Sequence, residues 1–400
     1  MCLEEADGIC PGAPAQRPTA WVGTTMSRPL PPEILDLIVD HIHDEPTALR
    51  AQLETCCLVS KSWVPRTRKH LFAHVAFRSN SSIELWKKAF PDHSNSPAHH
   101  THSLSILDPS VVTVTSADIG DLIRTFRNVV HLQFTCMDRA ALVPFYGLSP
   151  GVRSLHVAFS TTEVSDLVCS FPLLEDLKLD FPDPEGDQDG WNAPLTSPKL
   201  TGSLTLWSFG KAHFVIRQLL DLPGGFHFSK ISVLFHNEEV DLVADLVSKC
   251  FDTLENLTIG HYRSGASPSA PLPTSTSLPL AGVDISNTAA LDLSKATKLK
   301  RLTFLWGWLG PTIGWITVTL QTVNFKTLES ITIKPGGETT THQEWQDLDR
   351  LLVWTSCSVY LRVVYAAGKE GEEFRDKVPS LLPELTRRGL IDLVEAEHAV

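Results

Sequence analysis

One apolar spacing, F-x-x-[LV]-x-x-[LI]-x-[LIF], recurs four times along this 400-residue chain. The copies are Phe126/Val129/Leu132/Phe134, Phe171/Leu174/Leu177/Leu179, Phe251/Leu254/Leu257/Ile259 and Phe325/Leu328/Ile331/Ile333. Weaker copies lie at Val152/Leu155/Val157, Leu204/Leu206, Phe228/Ile231/Val233, Leu299/Leu302/Phe304 and Val359/Leu361/Val363. The L-x-L core of each copy alternates as a half-buried strand does. Helical patterns precede several strands, at Ala117–Phe126, Val164–Cys169 and Val240–Cys250. A unit of one strand and one helix buries only one face, so such units must stack.

The period resembles that of leucine-rich repeats. Steps between the anchors Leu132, Leu155, Leu177, Leu204, Ile231, Leu257, Leu302, Ile331 and Leu361 fall mostly within roughly 20–29 residues. The expected fold class is therefore α/β, an irregular leucine-rich-repeat-like solenoid over 104–400 with a C-terminal cap. Irregularity is expected because no Asn follows the strand to satisfy the backbone. The long step after Leu257 holds a Pro/Ser stretch, Ser267 to Pro279, and Val283–Ile285 is a candidate extra strand.

If the Leu and Ile anchors point inward, their neighbours form the opposite face. The candidate target-binding residues are His131, Gln133, His156, Lys178, Thr258, Arg301 and Thr303, in a mixed-charge row with Ser154, Asp176, Lys230, Ser232, Asn256, Ser330 and Thr332. Trp207 and Trp306 are placed just after their strands. They either anchor a partner or pack into the array.

Ahead of the array, residues 1–27 read as a disordered leader. Organisation begins at Leu30-Pro31-Pro32-Glu33-Ile34-Leu35. Proline suits a helix start, and Ile34, Leu35, Ile38 and Ile42 form one apolar stripe. Two more helical segments follow, one through Leu49 and Cys56-Cys57-Leu58-Val59 and one through Arg66 to Phe72. A piece this short cannot bury all its large apolar groups alone, so the surplus covers a neighbour or a partner.

The pattern Leu30, Pro31, Glu33, Ile34, Leu35, Ile38, Leu49, then Leu58-Val59-Ser60-Lys61-Ser62-Trp63, Leu71 and Phe72 resembles the F-box. The resemblance implies a three-helix domain over 28–78, joined by a linker at 79–103 to the repeats. It implies a partner, the Skp-type adaptor, and through it a cullin. Adaptor contacts would be Leu30, Pro31, Ile34, Leu35, Ile38, Leu58, Val59 and Trp63. Residues 50–56 are longer than the usual link between the first two helical parts, so the second helix gains a turn or a short insertion bulges. The whole chain is similar to the repeat-bearing F-box proteins of mushroom-forming fungi. It implies an intracellular ubiquitin-ligase subunit of cytoplasm or nucleus, without catalytic residues or cofactors, that binds an unknown target protein. The alternative is a leucine-rich scaffold whose first helices only cap the array.

Charge and motifs exclude several other classes. A balance of −12, with 46 acidic and 34 basic residues, opposes wrapping of nucleic acid. Eight cysteines without a C-x-x-C pair are not a disulfide framework, and a reducing compartment is expected. Leu302 to Phe325 carries no charge, but Pro311, its glycines and its threonines read as strand, loop and buried helix rather than a membrane span. Gly147-Leu148-Ser149-Pro150-Gly151 matches G-x-S-x-G, yet a strand pattern rather than a helix follows it. His93, His99, His100 and His102 read as a solvated loop, not a metal site. The carboxylates of Asp180–Asp189 read as another polar loop, because Pro182, Pro184 and Gly186 interrupt it.

Overall fold

The structure is a computed structural model that describes residues 31, 33–34, 37–39, 49–59, 61–92, 95–107, 116–137, 150–159, 168–181, 199–208, 213–236, 239–262, 290–306, 313–334, 341–355 and 359–396. Two compact units are present, Met1–Thr67 and Arg68–Val400.

In the first unit, residues 33–34 and 37–39 are helical and α1 spans Leu49–Val59. α1 runs without interruption through residues 50–56, so the additional residues extend the helix and make no bulge. Val39, Leu53 and Cys56 are buried. The division from the second unit falls within α2, Val64–Leu71.

The second unit is α/β. Its strands are β1 (His74–Phe77), β2 (Ser103–Ile106), β3 (His131–Met137), β4 (Ser154–Phe159), β5 (Asp176–Phe181) and β6 (Ser203–Ser208). Then follow β7 (Lys230–His236), β8 (Asn256–Tyr262), β9 (Arg301–Trp306), β10 (Ser330–Lys334), β11 (Tyr360–Tyr365) and β12 (Ile391–Glu395). They form one 12-stranded sheet in sequence order. Every pair is parallel. Parallel neighbours need a crossover, and several of these contain a helix. The helices are α3 (Asn80–Ala89), α4 (Ser116–Ile123), α5 (His213–Leu220), α6 (Val240–Ser248), α7 (Ile313–Thr322), α8 (His342–Trp354), α9 (Lys369–Leu381) and α10 (Pro383–Arg388).

The repeat spacing becomes a ladder. Leu104, Leu132, Leu155, Leu177, Leu204, Ile231, Leu257, Leu302, Ile331 and Leu361 stand side by side across the sheet. Ile106, Phe134, Val157, Leu179, Leu206, Val233, Ile259, Phe304, Ile333 and Val363 form the next buried row. Both rows belong to one core, with Ile216 and Leu219 of α5, Val243 and Leu246 of α6, Ile316 and Leu320 of α7 and Trp345 and Leu348 of α8. The uncharged stretch resolves into β9 and the largely buried α7. Among the described residues no helix is long and apolar enough to cross a membrane.

Among the described residues the register slips only between β3 and β4, at Thr135/Met137. Regularity arises from the backbone, which compensates for the absent Asn. At the entries of β2 to β10 two successive N–H groups donate to one carbonyl of the preceding unit. Val130 and His131 donate to His102, Arg153 and Ser154 to Val130, Glu175 and Asp176 to Arg153, and Gly202 and Ser203 to Glu175. The same pairing continues through Lys300 and Arg301 on Glu255 and Glu329 and Ser330 on Lys300. One acceptor with two lone pairs thus satisfies two donors, and at Ser203 N the Asp176 Oδ1 oxygen adds a second acceptor at 3.1 Å.

Four expectations need correction. The ladder starts at β1, inside the span expected to be purely helical. The expected linker at 79–103 contains α3, closed by a reciprocal Ser79/Ser82 capping box, and a 3₁₀ turn at Pro97–His100. His99 and His100 lie in that turn with ring centroids 3.9 Å apart, rather than in an open loop. Asp180 belongs to β5 rather than to the polar loop. β8 pairs directly with β9, and Ser267–Pro279 and Val283–Ile285 lie outside the described residues. So do residues 1–27, His93, Ser149 and Val164–Leu167.

Candidate binding face of the sheet

Strand alternation leaves the non-core positions on the opposite face. The first such row reads His131, Ser154, Asp176, Ser203, Lys230, Asn256, Arg301 and Ser330. Next comes Gln133, His156, Lys178, Thr205, Ser232, Thr258, Thr303 and Thr332, a run that ends in five consecutive hydroxyls. The third reads Thr135, Ala158, Asp180, Trp207, Leu234, Gly260, Leu305 and Lys334.

Three of the sequence-predicted residues meet here. His156 Nε2 lies 2.6 Å from Asp180 Oδ2, and Lys178 Nζ lies 3.3 Å from the same oxygen. Lys178 Nζ also stands 5.2 Å from the centroid of the Trp207 ring, a cation–π contact. Asp180 therefore fixes the cation that covers the indole. Its other oxygen, Oδ1, is buried without a hydrogen-bond partner. Burial pushes the Asp180 carboxyl up. The His156 hydrogen bond and the Lys178 charge outweigh this and hold it below the ordinary carboxylate value.

Gly260 buttresses the third row. A Cβ there would stand 2.6 Å from Leu234 Cδ1 and 3.2 Å from Leu305 Cβ. The missing side chain lets Leu234 lie across the strand and bring two leucines together beside Trp207. Trp207 is 39% exposed, and Leu234 and Leu305 are half-buried.

The remaining predicted residues are dispersed. His131 is exposed at the entry of β3. Gln133 accepts a hydrogen bond from Ser105 Oγ at 3.3 Å. Arg301 is exposed and donates to Asn256 Oδ1. Thr258 and Thr303 adjoin within the hydroxyl run. Both tryptophans lie inside their strands, not beyond them. Trp306 pairs with His261 one position past Leu305, at the parity of the core rows, so its register separates it from Trp207. Sequence reasoning missed Asp180, Leu234 and Leu305. The signal for them was the register, since all three stand two residues beyond a predicted face residue.

At the N-terminal segment, Pro31 is exposed, and Ile34, Ile38 and Leu58 are 43%, 37% and 87% exposed. Leu37, absent from the F-box-like pattern, is 64% exposed. Trp63 is half-buried. Leu30 and Leu35 and the side chain of Val59 lie outside the described residues.

A groove of about 800 Å³ on the helical side lies between α7 and α8, lined by Val318, Phe325, Leu351 and Trp354, with Asp347 and Arg350 paired at 3.1 Å. Among the described residues no group of three His, Cys, Asp or Glu side chains is placed to hold a metal ion. No family model matches this chain, and no curated protein matches it.

Proposed function

We propose that the protein is the substrate-recognition subunit of a Skp–cullin–F-box ubiquitin ligase, with the finer fold of an F-box joined to a leucine-rich-repeat-like solenoid. The observation that carries the reading is exposure at the F-box-like motif. Ile34, Ile38 and Leu58 are all accessible, and each sits where the motif resemblance places an adaptor contact. Exposed large aliphatic groups on residues 33–39 and on α1 favour a partner that covers them. The in-register sheet supports the second half of the reading, since it offers a long polar face beside a few apolar anchors. The function would be positioning: the N-terminal helices hold the adaptor, and the sheet holds the target near the ubiquitin-charged partner.

Co-purification of the full-length chain with a Skp-type adaptor tests this. Ile34→Asp with Ile38→Asp changes two exposed residues, so circular dichroism should be unchanged. Adaptor affinity should fall by at least about 30-fold, the effect of losing about 2 kcal/mol at a hot spot. No adaptor binding by the folded wild type, or unchanged affinity in the double variant, removes the ligase reading and leaves an interaction scaffold.

A further inference from the structure

We propose that the open face of β6–β10 docks an acidic segment of the target protein that carries an aromatic or aliphatic anchor. The inference rests on the target-recognition reading above and gives the target a chemistry.

Charge is the first support. The chain as a whole carries −12. Yet the outward positions of β6–β10 hold three cations, Lys230, Arg301 and Lys334, and no acid. All three are exposed, and none is ion-paired among the described residues. Acids flank this face: Asp176 and Asp180 stand on the adjoining β5, where Asp180 is engaged by His156 and Lys178, and Glu255, which precedes β8, is held by Lys300 at 3.0 Å and also feels Arg301. A cationic face on an acidic protein attracts anionic groups locally and orients them.

Apolar surface is the second. Trp207, Leu234 and Leu305 follow one another along a single register row, with Gly260 between the leucines. At roughly 4.8 Å per strand, Trp207 and Leu305 stand about 14 Å apart. That span accommodates one large side chain and its neighbours. Lys178 caps the indole on the β5 side, which fixes it as a rigid anchor at low entropic cost. The hydroxyl run separates this apolar row from Lys230 and Arg301 and offers donors to carboxylates that do not reach a cation.

A protein segment fits better than nucleic acid. Lys230 and Arg301 are two strands apart, about 10 Å, with Asn256 between them. A phosphate backbone requires a denser basic track than these three cations supply.

The full-length protein would be titrated with a fluorescein-labelled Asp/Glu peptide bearing one central Trp. Its Asn/Gln counterpart, its Lys counterpart and labelled oligouridylate complete the set. The acidic peptide should bind saturably, at least about tenfold tighter than the amide peptide. Raising salt from about 0.05 M to about 0.5 M should weaken it. Lys230→Glu with Arg301→Glu should cost at least about tenfold, and Lys230→Gln with Arg301→Gln a smaller loss in the same direction. Trp207→Ala should weaken binding without changing its salt dependence. Absence of saturable binding, equal affinity for acid and amide peptides, or unchanged affinity in the charge-reversed variant overturns the proposal. Tighter binding of oligouridylate overturns it in favour of nucleic acid. Adaptor co-purification from the same preparations separates the two readings. Lost peptide binding with adaptor retained rejects only the acidic docking face, and the converse rejects only the ligase assignment.

Discussion

Asp180 shares one carboxylate oxygen between His156 and Lys178 and keeps the other buried without a partner. Its pKa is lowered on folding, so the ionised form is favoured by the native state. The stability this contributes is present above the unfolded carboxylate value, about 3.9, and is lost as pH falls through the lower native value. Asp180→Asn should therefore destabilise the protein in urea melts at pH 7 and have little effect near pH 2. An equal difference at both pH values would refute the electrostatic account. The Cys250 thiol gives a second prediction at this scale. Burial pushes it up to about 11, against a smaller opposing effect of the Phe228 backbone. At pH 8 it should resist iodoacetamide until the protein unfolds, whereas the half-buried Cys57 should react in the native state. Rapid native labelling of Cys250 would contradict its packing. The buried thiol follows from its place after an apolar helix, but the Asp180 pairing does not follow from local pattern. His156 and Asp180 are 24 residues apart in sequence and meet only because the register sets β4 against β5. Pro182 and Gly186 carry a loop signal, but the strand runs one residue past Asp180 before reaching them.

Elements that carry their instructions locally were legible. α6 and α7 follow from apolar runs, and the strands follow from L-x-L alternation. Elements fixed by a distant group were not. α10 begins after Leu382, whose side chain makes no cap. Its first donors, the N–H groups of Glu384 and Leu385, instead reach the carboxylate of Asp349 in α8, at 3.0 and 2.9 Å. Asp349 is 3% exposed, and no nearby spacing advertises a cap 35 residues away. A carboxylate also suits the positive end of a helix. Asp349→Ala strands both donors in a buried place and should cost about 2–3 kcal/mol in chemical denaturation. Asp349→Asn keeps one acceptor and should cost less. Equal losses would show that packing, not capping, is what matters there. The cap of α8 contrasts with this. Thr341 Oγ1 accepts from Glu344 N at 3.3 Å and Glu344 Oε2 accepts from Thr341 N at 3.0 Å, an exposed T-x-x-E box readable in sequence.

At the scale of the molecule, the repeat period implied sequential stacking, and strand order β1 to β12 realises it. The period did not reveal where the stack begins and ends. β1 and β12 read H-V-A-F and I-D-L-V-E, and neither has the Phe that stands six residues ahead of the anchor in the clearest copies. Register with a neighbour, not internal pattern, makes them strands. In such an array each unit leans on the next, so stability is close to a sum of units and interfaces. The buried core of the second unit extends from Val75 to Leu385 and draws on its own strands and helices. The first unit has buried residues of its own, Val39, Leu53 and Cys56. A fragment of residues 64–400, cut ahead of α2 to keep that helix whole, should therefore unfold cooperatively. Its midpoint should lie within about 5 °C of the full chain, the shift that about 1–2 kcal/mol produces in a domain of this size. It should retain the acidic peptide and lose the adaptor. A fragment that aggregates or melts far lower would mean that the first helices complete the core of the array. Their exposed leucine and isoleucines would then be the outer surface of a structural cap, and the scaffold reading would take precedence.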